Sequence, residues 1–589
     1  MRAVNIHPAS YSAATAGRFP PSIYRHAALL IGIVGLLLRL AFALLPLDAH
    51  LILLEDDAWM VTAIARNAAL GLGITADGIN PTTGFQPLHP LTIGTLPFLI
   101  APDALDAGFS ASLALCALLA SLACWPLWSL ARRLGGDHAG LIAVTLYALN
   151  PTIIRLTING METALGLLLL LTLFAAFYAL DLRRLPQILL LALLTALAIL
   201  ARLDASLAFA AISATLGLQL LQVAQAAPGS LRDRLAGMLP GLGRLVSYCA
   251  VTLLLLLPYF SFNYIIGGRI GPSSGAALAF MQSYRGSFYL TNGLSAFYQN
   301  SAIYLDWLPS LWFKLILVIG AVIGLLRLLG RRLGQALPLL LFIPVPPLYY
   351  GYYLQQIRER YFVGLSAILI ILLAWAAAEC LRRRPTRSSV AAISGTLLVI
   401  IGLNCYEAIG FYQRMRTHAE LTQPTSYQAA LWIRDNLPAD ALIGAKNSGI
   451  YQYYSGHTVL NIDGKLNHEI LPMLEQRTLL DYLRRQSVEY LVDRENTMAH
   501  HVMFYSRQFG EAPYHRTPSL SERIAIYGRI AANTLGADLP LVLDDQRSFT
   551  PIRPFSDAAE IIARFERPND STNPVVVYRL KPTTEPGAP

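Results

Sequence analysis

Long apolar runs, separated by short polar breaks, fill the first 417 residues of the chain. A membrane-spanning helix needs about 20 mainly apolar residues. Eleven runs approach that length, near 27–47, 108–131, 138–151, 161–180, 186–201, 205–223, 245–264, 308–327, 335–350, 361–381 and 389–408. They predict an α-helical polytopic membrane protein with about eleven transmembrane helices. Residues 1–26 hold a few basic groups and no small-residue cleavage site follows a short apolar core, so the first run reads as a retained signal anchor. Near residue 418 the pattern changes, and charged residues, Asn, Gln and Pro return. Segment 425–437 reads as an amphipathic helix. Strand-like runs follow at Ala441–Ala445, Thr458–Ile462, Val488–Val492 and Val575–Tyr578, with helical patterns between the first three. The expected organisation is a segment 1–26, a membrane domain 27–417 with a long first loop 48–107, and a C-terminal α/β domain over 418–589.

Composition narrows the function. The chain of 589 residues is 55% hydrophobic and 14% charged, against about 25% charged in soluble domains. A large soluble enzyme, a disordered protein and a nucleic-acid-coating protein are all disfavoured. The five cysteines Cys116, Cys124, Cys249, Cys380 and Cys405 lie in or beside apolar runs without a CxxC pair, which suggests neither disulfides nor a zinc site. No GxGxxG or P-loop pattern occurs.

The net charge of +9 matters through its placement. With the N-terminus cytoplasmic, five successive cytoplasmic loops are basic. They carry Arg132 and Arg133; Arg183 and Arg184; Arg232, Arg234 and Arg244; Arg327, Arg331 and Arg332; and Arg382, Arg383, Arg384 and Arg387. This is the positive-inside distribution. The opposite loops are longer and carry the acidic residues. Eleven spans then place the C-terminal domain outside the cytoplasm, in the periplasm of a bacterial inner membrane protein.

The first outer loop begins Leu54-Glu55-Asp56-Asp57-Ala58-Trp59, three carboxylates where an apolar helix emerges. Ionised groups at a membrane boundary need solvation, a partner or a metal. Sugar transfer requires a carboxylate to take a proton from the acceptor hydroxyl, and adjacent acids raise one another's pKa towards a working base. The same oxygens suit a divalent cation. For the acids alone, a solvated boundary cluster that caps helix 58–70 explains the pattern equally well. The loop continues with Arg66 and Asn67, then Gly71-Leu72-Gly73, Asp77-Gly78, and Asn80-Pro81-Thr82-Thr83-Gly84-Phe85-Gln86-Pro87-Leu88-His89-Pro90. Its Gly and Pro density fixes a compact loop. The stretch Leu91–Ala101 is too short to span and suits a re-entrant or interfacial helix.

This order of residues resembles the first periplasmic loop of bacterial GT-C glycosyltransferases, multispanning enzymes that use polyprenyl-phosphate-linked sugars. The resemblance includes the ArnT-like and protein-mannosyltransferase-like group and the terminal arabinofuranosyltransferases. Further matches are Asn159-Gly160-Met161-Glu162-Thr163-Ala164, Ala201-Arg202-Leu203-Asp204 with Leu203 in place of the usual proline, and Gly271-Pro272-Ser273-Ser274-Gly275-Ala276. Arg358-Glu359-Arg360-Tyr361-Phe362, Asn447-Ser448-Gly449 and Asn461-Ile462-Asp463-Gly464 follow in the same order. The motifs are short, and their order across nearly the whole chain is the specific part. The resemblance implies a catalytic base at Asp56 or Asp57 and a spanning bundle that holds the lipid donor; the residues themselves leave metal dependence open, with Asp56 and Asp57 as the ligands of any divalent cation.

Outer-side arginines stand out against the positive-inside pattern. Arg155, Arg202, Arg269, Arg285, Arg358 and Arg360 all fall there, and Arg202, Arg358 and Arg360 sit at headgroup height. Arginine gives a lipid phosphate a fixed charge and paired hydrogen bonds, although snorkelling to lipid headgroups produces the same placement. The candidate substrate-binding set is Glu55, Arg66, His89, Glu162, Arg202, Asp204, Arg358 and Arg360. Glu162 and Asp204 read first as ion-pair partners of Arg155 and Arg202, and His89 first as a turn cap. In the tail, Lys446, Asn447, His457, Asp463 and Lys465 lie near strand ends, where α/β domains bind ligands. The expected partners are a polyprenyl-phosphate sugar donor, membrane lipids, and an envelope glycan, lipid or protein acceptor, without nucleic acid. A transporter or flippase of lipid-linked sugars, or a non-catalytic envelope-assembly partner, are the alternatives. No inverted repeat supports the former, and the intact acidic pair speaks against the latter.

Overall fold

The computed structural model describes residues 20–226, 230–285, 324, 326–353, 358–417, 423–510, 552–567 and 570–582. Among these, seven helices are long and apolar enough to cross a membrane. They are Ser22–Ala43, Leu105–Gly135, Leu203–Gln225, Leu231–Gly267, Leu333–Tyr350, Glu359–Arg383 and Arg387–Gln413. Asp137–Ala148 and Pro151–Thr157 make an eighth span if the pair, bent by 66°, is counted as one. The apolar helices Thr163–Ala179 and Leu185–Ala201 are shorter, at 17 residues each. Ten of the eleven expected runs thus fall on described helices, and the run 308–327 lies almost wholly outside the described residues. The protein is a multi-pass membrane protein.

Local chemistry explains the bend. Pro151 has no N–H to continue the preceding helix, and Asn150 accepts hydrogen bonds from the Thr152 and Ile153 N–H groups at 3.0 and 3.1 Å. The carbonyls freed at the break need donors. Arg39, fully buried in the first span, donates to the Ala148 carbonyl at 3.0 Å and to that of Gly35 at 3.1 Å. A buried guanidinium beside helix C-terminal carbonyls is thus a structural cation. The bundle core gathers Tyr147, Phe174, Phe342 and Trp375 with Leu167, Leu171 and Ile371.

The first loop forms a helix Leu47–Leu53, a break at Leu54–Asp56, and a helix Asp57–Ala69. Gly71, Gly73 and Gly78 take positive φ values of 75–82°, and Asp77 accepts from the Ile79 and Asn80 N–H groups. The stretch after Leu91 is a short turn of helix over Leu96–Ile100. Backbone donors help tie the loop to the bundle. Leu88 N–H donates to the Leu200 carbonyl at 3.1 Å, and Leu203 N–H to Gln86 Oε1 at 3.0 Å.

The tail carries a five-stranded sheet of β1 (Leu442–Ala445), β2 (Thr458–Asn461), β3 (Tyr490–Arg494), β4 (Ala559–Arg567) and β5 (Asp570–Leu580), in the order β2-β1-β3-β5-β4. β1 pairs in parallel with β2 and β3, and the β5 pairings are antiparallel. The helices Gly449–Tyr454 and Ile470–Gln476 with Leu479–Arg485 supply the crossovers. β4 was not expected. Its sequence Ala-Glu-Ile-Ile-Ala-Arg-Phe-Glu-Arg lacks clean alternation, and it is an edge strand with register shifts at Ile561/Ala563 and Phe565/Arg567. Edge strands tolerate such sequences because one side pairs with nothing.

One hydrophobic cluster joins loop to tail. Ala58, Trp59 and Ala63 pack with Ala445, Ile450, Tyr451, Tyr453 and Val459. Trp59 is fully buried and stacks on Phe109 with ring centroids 4.9 Å apart. Tyr453 and Tyr454 donate to the Leu105 carbonyl at 2.7 Å and to Asp106 at 3.0 Å. Each fully buried large apolar side chain contributes roughly 1.5–3 kcal/mol, so this seam holds the sheet firmly against the acidic loop.

Candidate active site

Asp56 and Asp57 point in different directions. Asp56 stands at the start of the helix Asp57–Ala69, yet its side chain does not cap it. Its carboxylate instead accepts the Gly449 N–H at 2.9 Å and the Ile450 N–H at 3.0 Å. The Asn447-Ser448-Gly449 turn that presents them is braced by Asp493, which accepts the Asn447 N–H at 3.0 Å. Gly449 must be small, because a Cβ there would lie 2.4 Å from the Asp56 carbonyl oxygen. Burial pushes the Asp56 carboxyl up from its usual range to about 7, with the charges of Asp57 and Asp493 adding to the rise and the two backbone N–H groups opposing it.

Asp57 faces the membrane bundle. Its Oδ2 pairs with Arg360, whose other terminal nitrogen pairs with Glu55. Arg358 lies 3.4 Å from the second Glu55 oxygen. The Arg360 side chain is only 9% exposed, so a charge there has to be compensated.

A second cluster stands beside this one. Arg202 donates to Asp204 through Nε at 3.1 Å and Nη2 at 2.8 Å, and through Nη1 to Glu162 at 3.0 Å. Tyr350 donates its hydroxyl to Asp204. The turn at Asn159-Gly160 aims Glu162: Gly160 has φ +70°, and Asn159 accepts the Met161 N–H and donates to Thr163. Gly166, one turn later, leaves room for the arginine stem, since a Cβ there would lie 2.5 Å from Arg202 Cδ. Both acids therefore pair with Arg202, while Arg155 pairs with Glu359 and lies over the Phe411 ring. Tyr361 links the clusters. Arg202 and Arg360 lie 5.8 and 5.3 Å from its ring centroid, and Tyr350 stacks on it at 4.8 Å.

The two arginines line one small cavity with about 30 Å³ of free space. Arg202, Asp204, Arg360 and Tyr361 form its polar end, and Leu167, Leu170, Phe342, Val363 and Leu365 its apolar walls. The lining suits an anion at one end and hydrocarbon at the other.

The remaining candidates stand elsewhere. Arg66 donates to the Pro102 carbonyl at 3.0 Å and fastens the loop to the stretch before the second span. His89 is buried with Nδ1 unpaired, its carbonyl accepts the Gly94 N–H at 2.9 Å, and burial lowers its pKa to about 4, so it is a neutral turn residue. Neither lines the cavity. Among the described residues no three His, Cys, Asp or Glu side chains converge as a metal site. The divergent Asp56 and Asp57 do not form the oxygen pair a shared cation needs. Tyr350 was not expected at the site. Its signal was a tyrosine pair, Tyr349-Tyr350, at the polar end of an apolar run.

Residues 105–222 match the family model of dolichyl-phosphate-mannose-protein mannosyltransferases, a stretch that holds Glu162, Arg202 and Asp204. The chain has the GT-C membrane fold. Its fold is similar to that of the oligosaccharyltransferase AglB from Archaeoglobus fulgidus, in complex with an inhibitory peptide and a dolichol-phosphate. That likeness has a TM-score of 0.50 at 14% identity over 81% of this chain and 71% of AglB. ArnT from Cupriavidus metallidurans bound to undecaprenyl phosphate is similar over 94% of this chain and 97% of its own, with 13% identity and a TM-score of 0.49. Residues 413–539 of the chain match a domain of unknown function, DUF8728. No curated protein sequence matches it.

Proposed function

We propose that this protein is a glycosyltransferase that moves a sugar from a polyprenyl-phosphate donor to a hydroxyl of an envelope glycan, lipid or protein on the extracytoplasmic side. The observation that carries this reading is the cavity, with Arg202 and Arg360 at its polar end and aliphatic walls behind them. The donor's phosphate takes the arginines and its first isoprene units take the apolar walls. The five basic loops on one side support an outward-facing site and a periplasmic tail domain over 418–589.

Asp56 is the base in this proposal. Its raised pKa lies near the working pH, where a general base is most effective. The acceptor oxygen attacks the anomeric carbon and gives its proton to Asp56, and the bond from that carbon to the phosphate oxygen breaks. The polyprenyl phosphate leaves with the bonding electrons, and Arg360 and Arg202 stabilise the growing negative charge. Glu55 and Asp57 hold Arg360 in place before donor binding, and Arg358 takes over Glu55 when the phosphate arrives. Glu162 and Asp204 orient Arg202. One base acting on one displacement inverts the anomeric centre.

The test uses the protein in nanodiscs with a panel of undecaprenyl-phosphate-linked pentoses and hexoses and an envelope fraction as acceptor. Release of undecaprenyl phosphate with sugar appearing on the acceptor supports the proposal. Movement of intact lipid-linked sugar across the bilayer without transfer would replace it with a flippase.

A further inference from the structure

Lys465 belongs to the tail domain, yet its backbone is held beside the first loop. Asn461-Ile462-Asp463-Gly464-Lys465 leaves the carboxyl end of β2 in a tight turn, with Gly464 at φ +80°. Asp463 Oδ1 accepts the Lys465 N–H at 3.1 Å, and Asn461 Oδ1 accepts that of Leu466 at 3.1 Å. Ser273 donates its hydroxyl to the Lys465 carbonyl at 2.8 Å. Gly84 of the first loop packs against the same carbonyl so closely that a Cβ would lie 1.8 Å away. Ser273 is in turn joined to that loop, because its N–H donates to Thr83 at 3.3 Å.

The side chain is held as firmly. Nζ lies 3.0 Å from Asp463 Oδ2, with the aspartate fully buried and the lysine 23% exposed. The pair therefore has a closed base and an open tip. An ammonium carries three protons, and Asp463 is its one ion-pair partner among the described residues. The Lys465 pKa is raised first by Asp463 and also by Asp57, and Arg358 opposes the rise, so the ammonium shares the neighbourhood of the acidic loop. A bare cation there would select a second phosphate. A lysine neutralised by a buried aspartate offers N–H donors without net charge, which suits a hydroxyl.

We propose that Lys465, positioned by Asp463, is a binding residue that the tail domain adds to the active site, where it donates to a ring hydroxyl of the sugar handled beside Asp56 and Asp57. The inference rests on the sugar-transfer reading. The hydroxyl belongs either to the donor sugar or to a glycan acceptor, and kinetics separate the two.

Lys465→Met keeps much of the length and removes the donors, while Lys465→Arg keeps the ion pair and so protects the fold. Each is assayed in nanodiscs for hydrolysis of the undecaprenyl-phosphate-linked sugars by water, for transfer to the envelope fraction, and for binding of undecaprenyl phosphate alone. Undecaprenyl phosphate affinity stays within about twofold of wild type. Lys465→Met raises a KM by about tenfold or more, the usual effect of losing a charged hydrogen bond, and Lys465→Arg raises it less. A rise in donor KM for both hydrolysis and transfer assigns the donor sugar. A rise confined to transfer assigns the acceptor. Unchanged KM values in both variants overturn the proposal, as does a loss of undecaprenyl phosphate binding, which would make Lys465 part of the phosphate site. A wild-type protein that binds undecaprenyl phosphate but cleaves none of the donors overturns the sugar-transfer reading itself.

Discussion

Replacing Asp56 by Asn removes the proposed base while nearly preserving its shape, and the pH dependence of the reaction reports the change. The wild-type carboxyl titrates at about 7, against an ordinary 3.8. Lowering the pH from 8 to 6 therefore cuts the deprotonated share from roughly ten-elevenths to one-eleventh, and kcat should fall about tenfold. Asp56→Asn should lower kcat by about 10²–10⁴-fold, the contribution of a positioned base, and flatten that profile. The variant should also fold. A raised pKa means that the folded protein keeps, between about pH 4 and 7, a proton that the unfolded chain releases. That stabilisation is present at low pH and is lost as pH rises through 7, a cost of about 4 kcal/mol for three pKa units. Asn avoids this cost and forfeits one of the two bonds from Gly449 and Ile450, so above pH 7 its melting temperature should match or exceed that of wild type. The assay is release of undecaprenyl phosphate from nanodisc-bound enzyme across pH 5.5–8.5, a window chosen to span the value of about 7. A flat wild-type profile, or an Asp56→Asn enzyme that keeps both rate and pH dependence, would refute the reasoning and move the role to Asp57.

Other perturbations test the neighbouring parts. Arg360→Ala should weaken donor use by a few kcal/mol in the transition state while the protein remains folded, and Arg360→Lys should rescue it only in part because the fork that grips Glu55 and Asp57 is lost; unchanged donor kinetics would remove the residue from the site. Gly166→Ala improves helix propensity yet drives a methyl into the Arg202 stem, so expression should hold while donor KM rises several-fold, and an unaltered KM would show that Arg202 has room to shift. Chelation by EDTA should leave transfer intact, since Asp56 and Asp57 address a peptide backbone and an arginine; a loss restored by Mn²⁺ would show that the acids reorient around a cation. A His500→Cys reporter should react with a membrane-impermeant maleimide before the inner membrane is opened, and labelling only afterwards would invert the topology.

The spans were legible because bilayer solvent rewards apolar length directly, and ten of the eleven runs coincide with described helices. β1, β2, β3 and β5 were legible as buried apolar runs, whereas β4 lacks clean alternation and owes its conformation to pairing with β5. The site residues stood out as charges in costly places. Their partners did not, except where chain proximity supplied them, as for Arg202 and Asp204. Asp56 meets Ile450 across 394 residues, and Arg155 meets Glu359 across 204. Such pairings follow from how the tail seats on the loop and how the helices cross, and no local pattern encodes either. The same holds for Asp56 itself, whose place at a helix start suggests a cap until the tail arrives to take its oxygens.

The cavity holds about 30 Å³, far less than a full polyprenyl chain occupies. On the proposed reading the protein grips the polar head and the carbons next to it, and leaves the rest of the tail to the bilayer. Such a site is blind to chain length. Donors built on short or long prenyl carriers would be handled alike once each is long enough to fill the apolar wall, and the choice among them would pass to whatever enzyme loads the carrier.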